Sequence, residues 1–180
     1  MTNRLQRCQK MKKQSNLAYF VITFLFLTFF DLYLSNFIVH NLTNGVANGL
    51  TNSATNSVPI ANIGLVNLTY AENTGAAFSI LQHSTVFLII LSVIAIIAGI
   101  YYGIKHIESL QKKEIICLSL FLAGISGNLC ERLYFGFVRD YFNLAFVNFP
   151  IFNISDVFIN VSVVGIIILI LLNKKPNKTL

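Results

Sequence analysis

A chain of 180 residues that is 55% hydrophobic and only 11% charged is not an ordinary soluble domain. Its apolar residues fall in runs rather than at amphipathic spacing, and the length suits one membrane-embedded domain over 1–180 with no room for a second. The net charge of +6 does not require nucleic acid, because lysines beside membrane spans face anionic headgroups; membrane lipids are the expected partner and nucleic acid is not.

A basic tail (Arg4, Arg7, Lys10, Lys12, Lys13) leads into the apolar run Leu17–Val39, which exceeds the ~20 residues needed to cross a bilayer as a helix. This order also opens a secretory signal peptide. The run is too long for that, however, and no small-residue cleavage site follows, so an uncleaved first span is predicted. Asp31 lies within it. A carboxylate there must face the bundle interior, either as a functional group or in a hydrogen bond to another helix.

A long outer connection, 40–84, comes next. Asn41–Ser57 is rich in Asn, Thr, Ser and Gly with little to bury, which predicts a mobile loop. Ile63–Tyr70 turns β-branched and aromatic, predicting one or two strands on the outer membrane surface. The run Asn73-Thr-Gly-Ala-Ala-Phe78 reads either as a turn before a helix or as a place where Gly75 lets a substrate backbone approach and Asn73 holds it.

The second and third spans are predicted at Thr85–Ile104 and Glu114–Leu133. The third carries Gly124, Asn128 and Arg132 at i, i+4 and i+8, on one helix face. Gly124 and Gly127 admit a closely packed neighbour. Arg132 either snorkels to the interface or stays buried facing carboxylates. Cys117 and Cys130 sit ~20 Å apart along one helix and cannot pair.

The aromatic-rich connection 134–153 predicts a loop resting at headgroup level. It contains Asp140. The fourth span, 154–172, opens on Asn153-Ile-Ser-Asp156, a spacing close to a capping box, and capping alone would account for both polar residues. Asp140 and Asp156 are separated by Pro150, so only a loop that folds back can bring them together. If they meet, like-charge repulsion leaves one protonated and one ionised, the acid–base arrangement of aspartic proteases. The helix dipole favours charge on Asp156, leaving Asp140 as the protonated partner. Eleven of the 13 Lys and Arg residues fall in the two tails and the second-to-third connection, which places both termini in the cytoplasm and the two aspartates at the outer face.

Four runs in order resemble the lipoprotein signal peptidases (signal peptidase II): Asn73–Phe78, Gly127-Asn-Leu-Cys-Glu-Arg132, Asp140 and Phe152-Asn-Ile-Ser-Asp156. The likeness covers the chain from Leu17 to about Lys175. It implies an aspartic endopeptidase of the bacterial cytoplasmic membrane, without metal or cofactor. Such an enzyme cuts the signal peptide from diacylglyceryl prolipoproteins just before the lipidated cysteine. By that resemblance Asp140 and Asp156 are catalytic. Asn73, Gly75, Asn128, Arg132 and Asn153 bind substrate or shape the site, and Asp31 and Gly127 support it. Three positions depart from the family's habit. Glu131 stands where Asp is usual, Ser155 replaces a common Ala and is expected to adjust the dyad, and Ser35 replaces a Lys that would pair with Asp31.

The fold expected is therefore an all-α membrane protein of four spans with a small outer β element. Two rival functions remain at this level: a small proton-coupled transporter using the intramembrane aspartates, and a non-catalytic assembly factor whose polar residues join helices.

Overall fold

Four helices and three short strands alternate along the chain: α1 (Thr2–Ala47), β1 (Ala61–Asn62), β2 (Val66–Asn73), α2 (Thr85–His106), α3 (Lys112–Phe135), β3 (Val138–Leu144) and α4 (Ile154–Asn173). They come from a computed structural model that describes residues 2–47, 61–62, 64–75 and 84–173. Each helix has a stretch long and apolar enough to cross a membrane, so the expected four-span, mainly helical fold is what forms.

Helix α3 is the centre of the bundle. It packs against α1, α2 and α4, and Ile115, Ser119, Leu122 and Ala123 are wholly buried along it. The other three helices turn large apolar side chains outward, such as Phe26, Ile94 and Leu171, each more than half exposed. On a soluble protein those faces would be a liability, whereas in hydrocarbon they are the solvated surface. A core of Phe20, Ile107, Ile115 and Leu122 closes the bundle at one end. There the Asn16 side chain donates to Ile107 O at 2.9 Å, tying the α2–α3 connection to α1.

α1 is longer than the predicted Leu17–Val39. Its polar ends continue the helix because the tail is rich in Gln, Lys and Arg and the first glycine is Gly45. Residues 41–47, expected in a mobile loop, are therefore helical; the rest of that stretch lies outside the described residues.

The second correction concerns 134–153, expected as a loop at the interface. α3 stops at Gly136, whose left-handed φ of 84° lets its N–H return to Arg132 O at 3.0 Å. The chain then enters β3, the third strand of an antiparallel sheet ordered β1-β2-β3. Aromatic residues at 141 and 142 suit a strand as well as a membrane surface, and only the pairing with β2 decides between them. Beyond β3 the chain folds back, with Phe142 and Phe152 exchanging two backbone hydrogen bonds at 2.8 and 3.0 Å. That return delivers Asn153 and α4 to the edge of the sheet. Under the sheet Val39, Leu42 and Tyr141 form a second core.

Candidate active site

The register of β2 on β3 sets one half of the site. Ala71 pairs with Asp140 and Asn73 with Val138, so Asn73 and Asp140 share a face as diagonal neighbours. The Asn73 amide donates to Asp140 Oδ2 at 3.0 Å. The other half comes from the start of α4. Asn153 caps the helix, accepting the backbone N–H of Asp156 at 2.9 Å, while its own N–H donates to Asp156 Oδ2 at 3.2 Å.

Capping does not exhaust Asn153. Its side-chain nitrogen donates to Asp140 Oδ1 and to Asn128 Oδ1, each at 3.0 Å. Asn128, one face of α3, completes the circuit with a 2.9 Å hydrogen bond to Asp156 Oδ1. All four carboxylate oxygens thus accept one N–H each, from three asparagines and one backbone amide. Asp140 is 2% exposed and Asn153 likewise. Both aspartates line a single cleft of about 580 Å³ between the sheet, α2, α3 and α4, with Arg132 and Phe152 at its wall.

Electrostatics follow from this burial. Removal from water pushes the Asp140 carboxyl up to about 8, and the neighbouring Asp156 charge adds to the effect. The Asn73 hydrogen bond, the Arg132 charge and the Asn153 hydrogen bond oppose it. The balance favours the protonated form of Asp140.

Arg132 is buried, as one reading expected, but it does not pair with the aspartates. Its guanidinium donates to Gly75 O at 2.7 Å and Asn128 O at 3.3 Å. Among the described residues it forms no ion pair, because the amides already satisfy the carboxylates and the Gly75 carbonyl lies in reach. Gly75 is held from both sides, its N–H donating to Asn73 Oδ1 at 2.9 Å. Residues 76–78 of that run lie outside the described residues. Arg139, next to Asp140 in the chain, forms a buried pair with Glu131, its Nε 2.6 Å from Oε2. It also donates to Asn36 Oδ1 at 2.9 Å and lies over the Phe135 ring.

The remaining predicted residues form a support layer. Asp31 is 1% exposed and accepts Ser155 Oγ–H at 2.6 Å, which is the interhelical alternative rather than a place in the cleft. Ser155 consequently acts on Asp31, not on the dyad as expected. Gly127 has no room for a side chain: a Cβ would collide with Asp31 Oδ2 and Ser155 Oγ. Gly124 likewise lies against the Ser155 carbonyl. Ser35, the position where the family's Lys is missing, hydrogen-bonds the Tyr141 hydroxyl at 3.0 Å. The same hydroxyl accepts Ile154 N–H at 3.2 Å, joining α1, β3 and α4. Sequence reasoning missed Tyr141. Its place next to Asp140 in the chain was the signal available.

The family model described as Signal peptidase (SPase) II matches residues 22–172. A lipoprotein signal peptidase of Streptococcus pneumoniae is 41% identical over 106 residues, which is 59% of this chain and 69% of that protein. One from Enterococcus faecalis is 39% identical over 118 residues, 64% of this chain and 71% of its own. A bacterial membrane enzyme structure obtained by the in meso method at 2.3 Å superposes with TM-score 0.69 at 28% identity, covering 89% of this chain and 94% of that one.

Proposed function

From the premise that this chain belongs to the signal peptidase II family, we propose that Asp140 and Asp156 are the pair with which it cuts its substrate. The protein is a multi-pass bacterial membrane enzyme, an aspartic peptidase that removes signal peptides from lipoproteins. Nothing in its relatives supports the transporter alternative. The substrate, on this proposal, is a diacylglyceryl prolipoprotein cut just before the lipidated cysteine. Its acyl chains keep that bond near the membrane surface, the depth at which the sheet meets α4. Both termini are then cytoplasmic, as the placement of Lys and Arg implies.

The observation that carries the reading is Asn153, which hydrogen-bonds both acids and so holds them in one cleft. Asp156 takes a proton from a water molecule as it attacks the scissile carbonyl. Asp140 donates its proton to the developing oxyanion. As the tetrahedral species collapses and its C–N bond breaks, Asp156 gives the water-derived proton to the leaving amine and Asp140 takes a proton back from the geminal hydroxyl, restoring both acids. Arg132 stabilises the site through its charge, and it fixes the Asn73–Gly75 segment beside the substrate. Asn73 and Asn128 orient one acid each.

Asp140→Asn and Asp156→Asn preserve shape and remove the proton chemistry. Each should reduce cleavage of a lipidated precursor by about 10²–10⁴-fold while leaving its binding intact. Turnover that survives either change would refute the dyad.

A further inference from the structure

A second hollow of about 640 Å³ lies at the opposite end of the bundle, lined by Tyr102, Leu110, Glu114, Leu118, Ile166 and Ile170. Its walls come from the same three helices as those of the site cleft, α2, α3 and α4. α3 contributes Glu114 and Leu118 to the hollow, then Ile125, Asn128 and Arg132 to the cleft, positions that recur at helical period on one face. α4 continues in the same way from Asp156 and Ile159 to Ile166 and Ile170, and α2 from Leu88 and Ser92 to Tyr102. α3 packs against both α2 and α4 and forms the floor between them. The two hollows lie in line along this face of α3. From Glu114 to Arg132 it runs about 27 Å by helical rise, close to the ~30 Å depth of the hydrocarbon core.

We infer that the two hollows are the ends of one trough that seats the apolar helix of the substrate's signal peptide, and that Glu114 at its far end receives the positively charged residues that precede that helix. The inference rests on the peptidase reading and extends it to a specificity contact. A signal peptide is an apolar stretch of about 7–15 residues behind a basic segment. With its cleaved end at Asp140 and Asp156, the apolar stretch must run down the trough toward Glu114. Glu114 is the one charged side chain among the described residues that line the far hollow.

Glu114 is also available. One oxygen accepts Gln111 N–H at 2.7 Å, at the start of α3, and the carboxylate has a second. Nearby Glu108 is taken by Lys13. Lys112 stands over the Tyr19 ring and Lys105 over the Tyr101 ring, while exposed Lys113 is the local competitor.

The test uses the full-length enzyme in lipid nanodiscs and a lipidated precursor whose leading segment carries Lys, Gln or Glu. For the native enzyme KM should rise about two- to fivefold from the Lys to the Glu precursor, with kcat unchanged. Glu114→Lys should invert that order. Glu114→Gln, which keeps an oxygen for the Gln111 N–H, should erase it without loss of stability. Ile166→Trp, which narrows the trough, should raise KM for all three precursors. A KM blind to the leading charge in both the native enzyme and Glu114→Lys overturns the assignment of Glu114. Unchanged KM in Ile166→Trp overturns the trough and leaves it to lipid chains. A native enzyme that cuts none of the precursors sinks the peptidase reading instead, so the two failures are distinguishable.

Discussion

Asn153 donates its side-chain N–H to Asp140 at 3.0 Å, and with the oxygen of the same amide it caps the helix that begins with Asp156. One residue thus performs a structural and a positioning task at once. Asn153→Ala removes both. The lost cap should cost about 1 kcal/mol of stability. The loss of alignment between two acids should lower kcat about 100-fold, the scale associated with a 1 Å misplacement. Thermal unfolding beside steady-state cleavage separates the two effects. A drop in stability with kcat intact would reduce Asn153 to a cap.

On the proposed mechanism Asp140 sets the alkaline side of the pH profile. Burial first, and then Asp156, raises its carboxyl from 3.8 to about 8, so the folded protein keeps a proton that the unfolded chain releases. Between those values the unfolded state binds fewer protons, and stability falls as pH rises from about 4 through about 8. Asp140→Asn should flatten that slope in thermal unfolding. Turnover should decline above about pH 8 as the proton donor is lost. Asn73→Ala removes a hydrogen bond that favours the charged form, so it should move this limb to higher pH. Movement in the other direction would contradict the geometry.

Gly127 and Ser155 should separate stability from turnover. Ser155→Ala takes away the hydrogen bond that Asp31 accepts, leaving a buried carboxyl without a partner among the described residues at a cost of about 1–3 kcal/mol. Since the Ser155 hydroxyl donates to Asp31 and not to either acid of the proposed dyad, kcat should stay near its native value. Gly127→Ala overfills the same contact and should destabilise by about 1–3 kcal/mol. Thermal unfolding in detergent reports both, and a large fall in kcat for Ser155→Ala would restore the expectation that it tunes the dyad.

The Glu131–Arg139 pair joins the end of α3 to β3 in a buried setting. Arg139→Ala strands the glutamate and should cost about 3–5 kcal/mol. Replacing both, with Glu131→Gln and Arg139→Met, should recover much of that loss, because neither charge is then left alone. If the double variant unfolds as readily as the single one, the contacts to Asn36 and Phe135 carry the stability instead.

The four spans were legible because hydrocarbon demands unbroken apolar runs, and α2 matches its predicted start at Thr85. Asp140 and Asp156 were legible because acids are rare and costly in such a chain. β3 was not, since its aromatic residues satisfy a membrane surface and a strand alike, and only the long-range pairing with β2 chooses. The partners of the charged residues were hidden for a similar reason. Proximity in sequence placed Arg132 and Arg139 near the aspartates, yet the first is drawn to the Gly75 carbonyl and the second to Glu131. Asn153 was seen as a cap, but its bond to Asp140 depends on the return of the chain through Phe152.

Asp140 rides on a strand and Asp156 on a helix, and the sheet meets the bundle through the Val39–Leu42–Tyr141 core, the Glu131–Arg139 pair and polar ties at Ser35, Tyr141 and Asn153. The two halves of the proposed dyad therefore come from different elements rather than from one rigid one. A compound wedged into that seam would inhibit by parting the acids, without mimicking the peptide or occupying the space between them. Resistance to such a wedge would arise along the seam, at residues that never meet the substrate.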